Sequence, residues 1–281
     1  MFPTDLRLPG VRRCGGLGVV SALILILVGI ASGITTALFG FGGGFVAVPV
    51  LVWADGYLGD DAARVAVATS SVLMVVGAAV ATSATPRPVL AELRGSGRLV
   101  ALLAIGGAAG AVAARHVPGE VIAVGFVVYL VATIVSVTVR PGFLDAQADG
   151  ARSLPAATGL PIGAVASFLG VGGSVVTVPM MRRNGHRMAV ATALANPLTL
   201  AVALPATVVF LLLSGGRPAG AAAGFVGAVD VRAATALLVG SLPVIVFLRR
   251  RGPRLSDAAH ARWYVGLLVV VTVAMAGTLF R

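Results

Sequence analysis

Three polar side chains recur at helical spacing within an otherwise apolar stretch: Thr192, Asn196 and Thr199. Intervals of four and three put them on one helix face. Their hydroxyl and amide groups can donate to the oxygens of an anion. Thr69, Ser70 and Ser71 form a comparable group earlier in the chain. A hydroxyl in a helix can instead bond its own backbone four residues back, and Ser70, Thr82 and Ser83 read equally well that way. Asn196 stands out because a buried amide needs more partners than its own helix supplies. Substrate contact and relief of the backbone freed by Pro197 are equal alternatives for it.

The stronger signal lies in the backbone. Gly40-Phe-Gly-Gly-Gly-Phe-Val-Ala-Val-Pro49 recurs as Gly170-Val-Gly-Gly-Ser-Val-Val-Thr-Val-Pro179. Each glycine costs about 1 kcal/mol in a helix interior, and proline removes a hydrogen-bond donor. A half-helix starting after each glycine cluster would point unpaired N–H groups and its positive dipole end into the protein. Such ends hold anions without a buried cation. Gly42, Gly43, Gly44, Gly172, Gly173 and Ser174 are therefore candidate anion-binding positions. Thr69, Ser71, Thr192, Asn196 and Thr199 form a second layer, and Pro49 and Pro179 are read as helix-break positions. Arg64 and Arg187, at matching places in the two halves, could guide anions or serve as membrane-edge anchors. Small residues also let membrane helices approach, and that packing reading suits Gly106, Gly107 and Gly110.

Other chemistries lack their residues. Every Asp and Glu lies at a segment end or in a loop, whereas proton and sodium relays usually leave a carboxylate within the membrane. A negatively lined cation pathway is thus not expected. His116, His186 and His260 are also read as loop residues. A coupled proton would ride on the substrate or use His186, which reads equally as a headgroup contact. No zinc motif, paired acids or nucleotide loop occurs, so neither an enzyme nor a cofactor is expected. Cys14 is the only cysteine, which excludes an intramolecular disulfide.

These residues need a membrane to position them. Of 281 residues 58% are hydrophobic and 11% charged, against about 25% charged in a soluble domain. Apolar runs of bilayer-spanning length recur throughout. The net charge of +11 comes wholly from arginines, since no lysine occurs. Their place between apolar runs points to topology and anionic headgroups rather than nucleic acid. Arg12 and Arg13 mimic a signal peptide, but the run from Leu17 is too long for one and reads as a retained helix.

Eight apolar segments are expected: Leu17 to Trp53 (broken), Ala62 to Ser83, Leu99 to Ala114, Val121 to Val139, Pro155 to Met181 (broken), Met188 to Leu213, Ala233 to Leu248 and Tyr264 to Phe280. Arg64-Val-Ala-Val-Ala-Thr69 matches Arg187-Met-Ala-Val-Ala-Thr192, and Arg98 opens the third segment as Arg232 opens the seventh. The expected fold is an all-α membrane protein of two four-segment repeats, read as inverted. The divisions are an N-terminal tail (1–16), a first repeat (17–139), a linker (140–154) and a second repeat (155–281).

The arginines weigh three topologies. Eight full crossings split them 11 to 10 across the membrane, with no bias. A re-entrant fifth segment gives 16 to 5, and re-entry of the first as well gives 13 to 8. The positive-inside rule favours the second version and the duplication favours the third.

The Gly-Gly-Gly-Phe of 42–45 with Val48-Pro49, and Gly172-Gly173 with Val178-Pro179, resemble the paired signatures of the TauE/SafE sulfite exporter family. The Ala-Val-Ala-Thr stretches ending at Thr69 and Thr192 follow where that family has them, and Ser174 stands where many relatives have glycine. The resemblance runs from about Leu17 to Phe280. It implies a multi-pass transporter in a prokaryotic cell membrane that moves small sulfur-containing anions such as sulfite, thiosulfate or organosulfonates. A transporter or channel for another oxyanion or carboxylate, and a non-transporting membrane scaffold, are the rival expectations.

Overall fold

The computed structural model describes residues 19–140, 142–144, 153–213, 224–251 and 255–280, with side chains from residue 21 onward. The tail 1–16, most of the linker 140–154, and Arg7, Arg12, Arg13, Cys14, Arg152, Arg217, Arg254 and Arg281 lie outside the described residues.

Among the described residues, seven helices are long and apolar enough to cross a bilayer: α1 (Val19–Phe39), α3 (Asp61–Ser83), α5 (Gly97–Ala114), α6 (Gly119–Val139), α9 (Met188–Leu212), α10 (Val231–Arg251) and α11 (Asp257–Leu279). Four shorter helices complete the set: α2 (Gly44–Ala54), α4 (Arg87–Ala91), α7 (Gly159–Leu169) and α8 (Ser174–Arg183). Strands β1 (Phe225–Val226) and β2 (Val229–Asp230) form a small antiparallel pair before α10. The chain is an all-α, multi-pass membrane protein. Leu27, Val128, Val139 and Val270 point outward, as lipid-facing side chains do, because an apolar surface costs nothing in hydrocarbon.

The glycines set how the helices meet. Gly106 and Gly110 of α5 lie against the backbone of Leu160 and Ala164 in α7, and Gly107 lies against Val202 of α9. No side chain fits at these positions, so the packing reading holds for all three. Gly29 and Gly33 seat α1 on Leu237 and Ser241 of α10 in the same way.

Those contacts also give direction. Gly29 opposite Leu237 and Gly33 opposite Ser241 mean that α1 runs parallel to α10. The next helix, α2, ends at Asp55, which lies within electrostatic reach of Asp230, immediately before α10. The α1–α2 unit therefore doubles back to the end where α10 begins. Likewise Gly159 meets Leu99 and Ala164 meets Gly110, so α7 runs parallel to α5. The following α8 ends with Arg183 on Ser136, near the end of α6, and His186 beyond it lies 3.4 Å from Glu92, just before α5. The α7–α8 unit returns to the end where α5 begins. Asp60, next to α3, touches Gly119 at the start of α6, while Asp230 donates to Thr69 of the same α3. The start of α10 thus lies where α5 finishes, and the two hairpins come in from opposite ends.

Three expectations need correction. Pro49 and Pro179 do not break a helix: α2 and α8 run continuously through them. The breaks fall at residues 40–43 and 170–173, where positive-φ glycines end the preceding helices. His260 is not in a loop but in the first turn of α11, where Nε2 lies 2.7 Å from the Leu38 carbonyl. His186 is buried between Met181 O and Glu92, so it is not a headgroup contact.

Candidate functional site

Both breaks are built by helix C-caps. Gly170, at φ 69° and ψ 25°, closes α7: its N–H bonds Ser167 O and the next N–H bonds Ala166 O at 3.0 Å. That pair of bonds is a Schellman motif, which needs a residue free to adopt left-handed φ. Gly40, at φ 76°, closes α1 with one bond from its N–H to Thr36 O, the simpler left-handed cap. Gly42 and Gly172 then share φ 70°. After them α2 and α8 start afresh.

The two new helix starts meet. A methyl placed on Gly42 would lie 2.9 Å from Thr199 Cγ2 and 3.2 Å from Met74 Cα. One placed on Gly172 would lie 3.0 Å from both Met74 Sδ and Thr199 Cγ2, and 3.6 Å from Phe41 O. Met74 of α3 and Thr199 of α9 therefore sit at the junction of both hairpin tips. Thr199 is eleven residues into α9, about 16 Å along its axis, and Met74 is a similar distance into α3. Gly44 is equally enclosed, since a methyl placed on it would lie 2.6 Å from Met74 Cγ. Gly43 and Gly173 are not: their nearest neighbours stand at 3.4 and 3.6 Å.

Buried polar atoms gather here without partners. Ser174 Oγ at the start of α8, Thr177 Oγ1 one turn on, and Thr199 Oγ1 and Asn196 Oδ1 on α9 make no hydrogen bond. Ser174, Thr177, Asn196 and Thr199 are all fully buried. A buried polar group without a partner costs about 1–3 kcal/mol, so four of them near two helix starts call for an explanation. Asn196 Nδ2 donates to Thr192 O at 3.2 Å, and Thr192 Oγ1 donates back to Ala189 O.

Other candidates fall elsewhere. Thr69 Oγ1 accepts the Asp230 N–H at 3.0 Å, nearer the α10 end. Ser71 Oγ accepts from Thr207 and donates to Ala68 O, joining α3 to α9. Ser70 Oγ donates to Val67 O and reaches Gly170 O at 3.4 Å. Arg64 pairs with Asp61 at 2.9 Å, and Arg187 is exposed at the start of α9.

Several residues that matter gave no signal in spacing. Pro179 has no N–H for the carbonyl of Val175, and Tyr264 Oη supplies the missing donor at 3.0 Å. Tyr264 also belongs to an aromatic column that runs from His260 through Phe39 and Phe41 to Phe45 and Phe126. Arg182, 2% exposed, is ion-paired with Asp257 and donates to Phe143 O at 3.0 Å, fastening the end of α8 to the start of α11.

The family model for the sulfite exporter TauE/SafE matches residues 25–276. The chain belongs to the TauE/SafE family. The match takes in both glycine breaks and all the residues around the junction, and TauE/SafE proteins are membrane transporters. No curated protein and no solved structure matches the chain significantly.

Proposed function

We propose that this TauE/SafE member is a secondary transporter of small sulfur-containing anions, such as sulfite, thiosulfate or an organosulfonate, working by alternating access. One observation carries the reading: two half-helix starts face each other deep in the bundle, with buried, unpartnered Ser174 and Thr199 hydroxyls beside them. Backbone N–H groups and hydroxyls are the donors that suit an oxyanion. Asn196 Oδ1 is an orphan acceptor, and a singly protonated oxyanion would bring the donor it lacks. In this reading Gly42, Gly43, Gly44, Gly172, Gly173 and Ser174 form the anion cradle.

The halves 17–139 and 155–281 act as inverted repeats. Their first helices are exchanged, α1 packing on α10 and α7 on α5, which supports a pseudo-twofold relation. Among the described residues, Arg87, Arg94, Arg98, Arg140, Arg182, Arg183, Arg187, Arg249, Arg250, Arg251 and Arg262 lie at the end from which the α7–α8 hairpin enters. Only Arg64, Arg115 and Arg232 lie at the other. That asymmetry makes the arginine-rich end cytoplasmic in a prokaryotic cell membrane.

The tight seat of Gly42 and Gly172 favours one rival, a scaffold whose glycines serve packing alone. Uptake of labelled sulfite, thiosulfate and taurine into proteoliposomes separates the two. Saturable uptake of one anion, weakened about tenfold or more by Ser174→Ala, is expected from loss of a hydrogen bond to a charged group. A folded Ser174→Ala protein with wild-type uptake would move the anion elsewhere. Absence of uptake of any small oxyanion or carboxylate by wild type would leave the scaffold.

A further inference from the structure

At the end opposite the arginines, two buried carboxyl groups lie within electrostatic reach of one another. Asp55 directly follows α2 and is 6% exposed; Asp230 directly precedes α10 and is 9% exposed. Asp230 is well provided for. Its Oδ1 accepts the N–H groups of Arg232 at 2.9 Å and Ala233 at 3.1 Å, capping α10, and its own N–H donates to Thr69 Oγ1. Asp55 is not: its Oδ2 is buried and has no hydrogen-bond partner. A buried carboxylate normally finds a cation or several donors, or else gives up its charge.

The surroundings favour the last outcome. Leu58, Ala62, Val65 and Phe225 form the apolar cluster at this end. Among the described residues, the ionisable groups at this end are Tyr57 in the turn after α2, Asp60, Asp61 and Arg64 at the start of α3, Arg115, His116 and Glu120 around the start of α6, and Arg232 on α10. Arg64 is engaged with Asp61 at 2.9 Å. Burial first, and then the charge of Asp230, lift the Asp55 carboxyl to about 7. The same two carboxylates, after burial, lift the Tyr57 hydroxyl. Asp55 also sits at the negative end of the α2 dipole, which disfavours an anion there. A hard cation such as Na⁺ would need more oxygens than this apolar corner supplies, whereas a proton needs one.

We propose that Asp55 and Asp230 form a proton-binding site, one proton held by Asp55 against the Asp230 carboxylate, and that its occupancy seats the first hairpin against α10. The buried position of Asp55 in the structure is then the protonated one. Loss of the proton puts like charges together at the foot of α2 and drives the two elements apart. The coupling rests on the transporter reading: an anion at the start of α2 and a proton at its end would move on one element. The proton site itself does not rest on that reading.

The test reads the two parts separately. The full chain carrying Trp263→Phe keeps Trp53 as its only tryptophan, two residues from Asp55. In nanodiscs its emission should follow a single protonation centred near 7. The step should vanish in Asp55→Asn and move to lower pH in Asp230→Asn, whose amide oxygen can still cap α10. A step that survives in Asp55→Asn, or no step at all in folded protein, overturns the site. So does a step whose position moves with Na⁺ at constant pH, which would make it a metal-cation site. In proteoliposomes an inward proton gradient should stimulate anion uptake several-fold in wild type and not in Asp55→Asn. Equal stimulation in both would overturn the coupling while the Trp53 titration still stood. Titration without uptake of any anion would count against the transporter reading alone.

Discussion

Gly172 and Gly173 are neighbours in the sequence with opposite demands. Gly172 holds φ 70° and has Met74 and Thr199 where a side chain would go, whereas Gly173 holds φ −69° with nothing nearer than 3.6 Å. Gly172→Ala should therefore cost about 2 kcal/mol or more, since left-handed backbone alone costs a non-glycine residue roughly 1–2 kcal/mol. Gly173→Ala should stay within about 1 kcal/mol of wild type. Thermal unfolding in one detergent compares them directly. The glycine-rich character of both segments was legible in the sequence, and so was the buried face of Thr192, Asn196 and Thr199. Which glycine tolerates a side chain was not, because it depends on α3 and α9, far away in the chain. Thr69 illustrates the same limit: its matching position with Thr192 was visible, but its partner is the Asp230 N–H, 161 residues away.

At the scale of elements, α8 survives its proline because another helix completes it. Tyr264→Phe removes the donor to Val175 O and should destabilise the protein by about 1–3 kcal/mol. Pro179→Ala restores an N–H one turn beyond Val175, so the second substitution should recover part of that loss. A double-mutant cycle on chemical unfolding measures the coupling, and strict additivity would show that Tyr264 does not complete α8. Arg182 and Asp257 make a second fastening. The Arg182 side chain is 2% exposed and that of Asp257 33%, so stranding the arginine is the worse injury. Asp257→Asn should cost about 3 kcal/mol, and Arg182→Met should cost less. Reading prolines as breaks was an error of this scale: a single proline frees one carbonyl, and tertiary structure can satisfy it. Neither Tyr264 nor Asp257 carried any local mark of its partner.

For the whole molecule, opposite entry of the hairpins makes a topological prediction. On a Cys14→Ser background, Tyr57→Cys should react with an impermeant thiol reagent from outside intact cells, and Arg94→Cys only after the membrane is opened. Labelling of both from one side would contradict the arrangement. The arginine distribution had already narrowed the choice to two re-entrant schemes, but could not say that α1 turns back, because α1 alone is long enough to cross. Stability should also follow pH. The folded protein holds the Asp55 proton up to about 7, against 3.8 for an ordinary Asp, so the native state binds more protons than the unfolded chain between these values. Stability contributed by this proton is present at low pH and is lost as pH rises through 7. Asp55→Asn should unfold at a higher temperature than wild type above pH 7, with the difference shrinking as pH falls. The aromatic column has a thermal consequence. Phe39 and Phe41 ride on the first hairpin and rest on His260 and Tyr264 of α11, while Phe45 rests on Phe126 of α6. Moving that hairpin against α6 and α11 separates these rings, and any water admitted to them raises the heat capacity. If the proposed alternating access moves this hairpin, the turnover rate should follow a curved Arrhenius plot, and Phe41→Ala should straighten it.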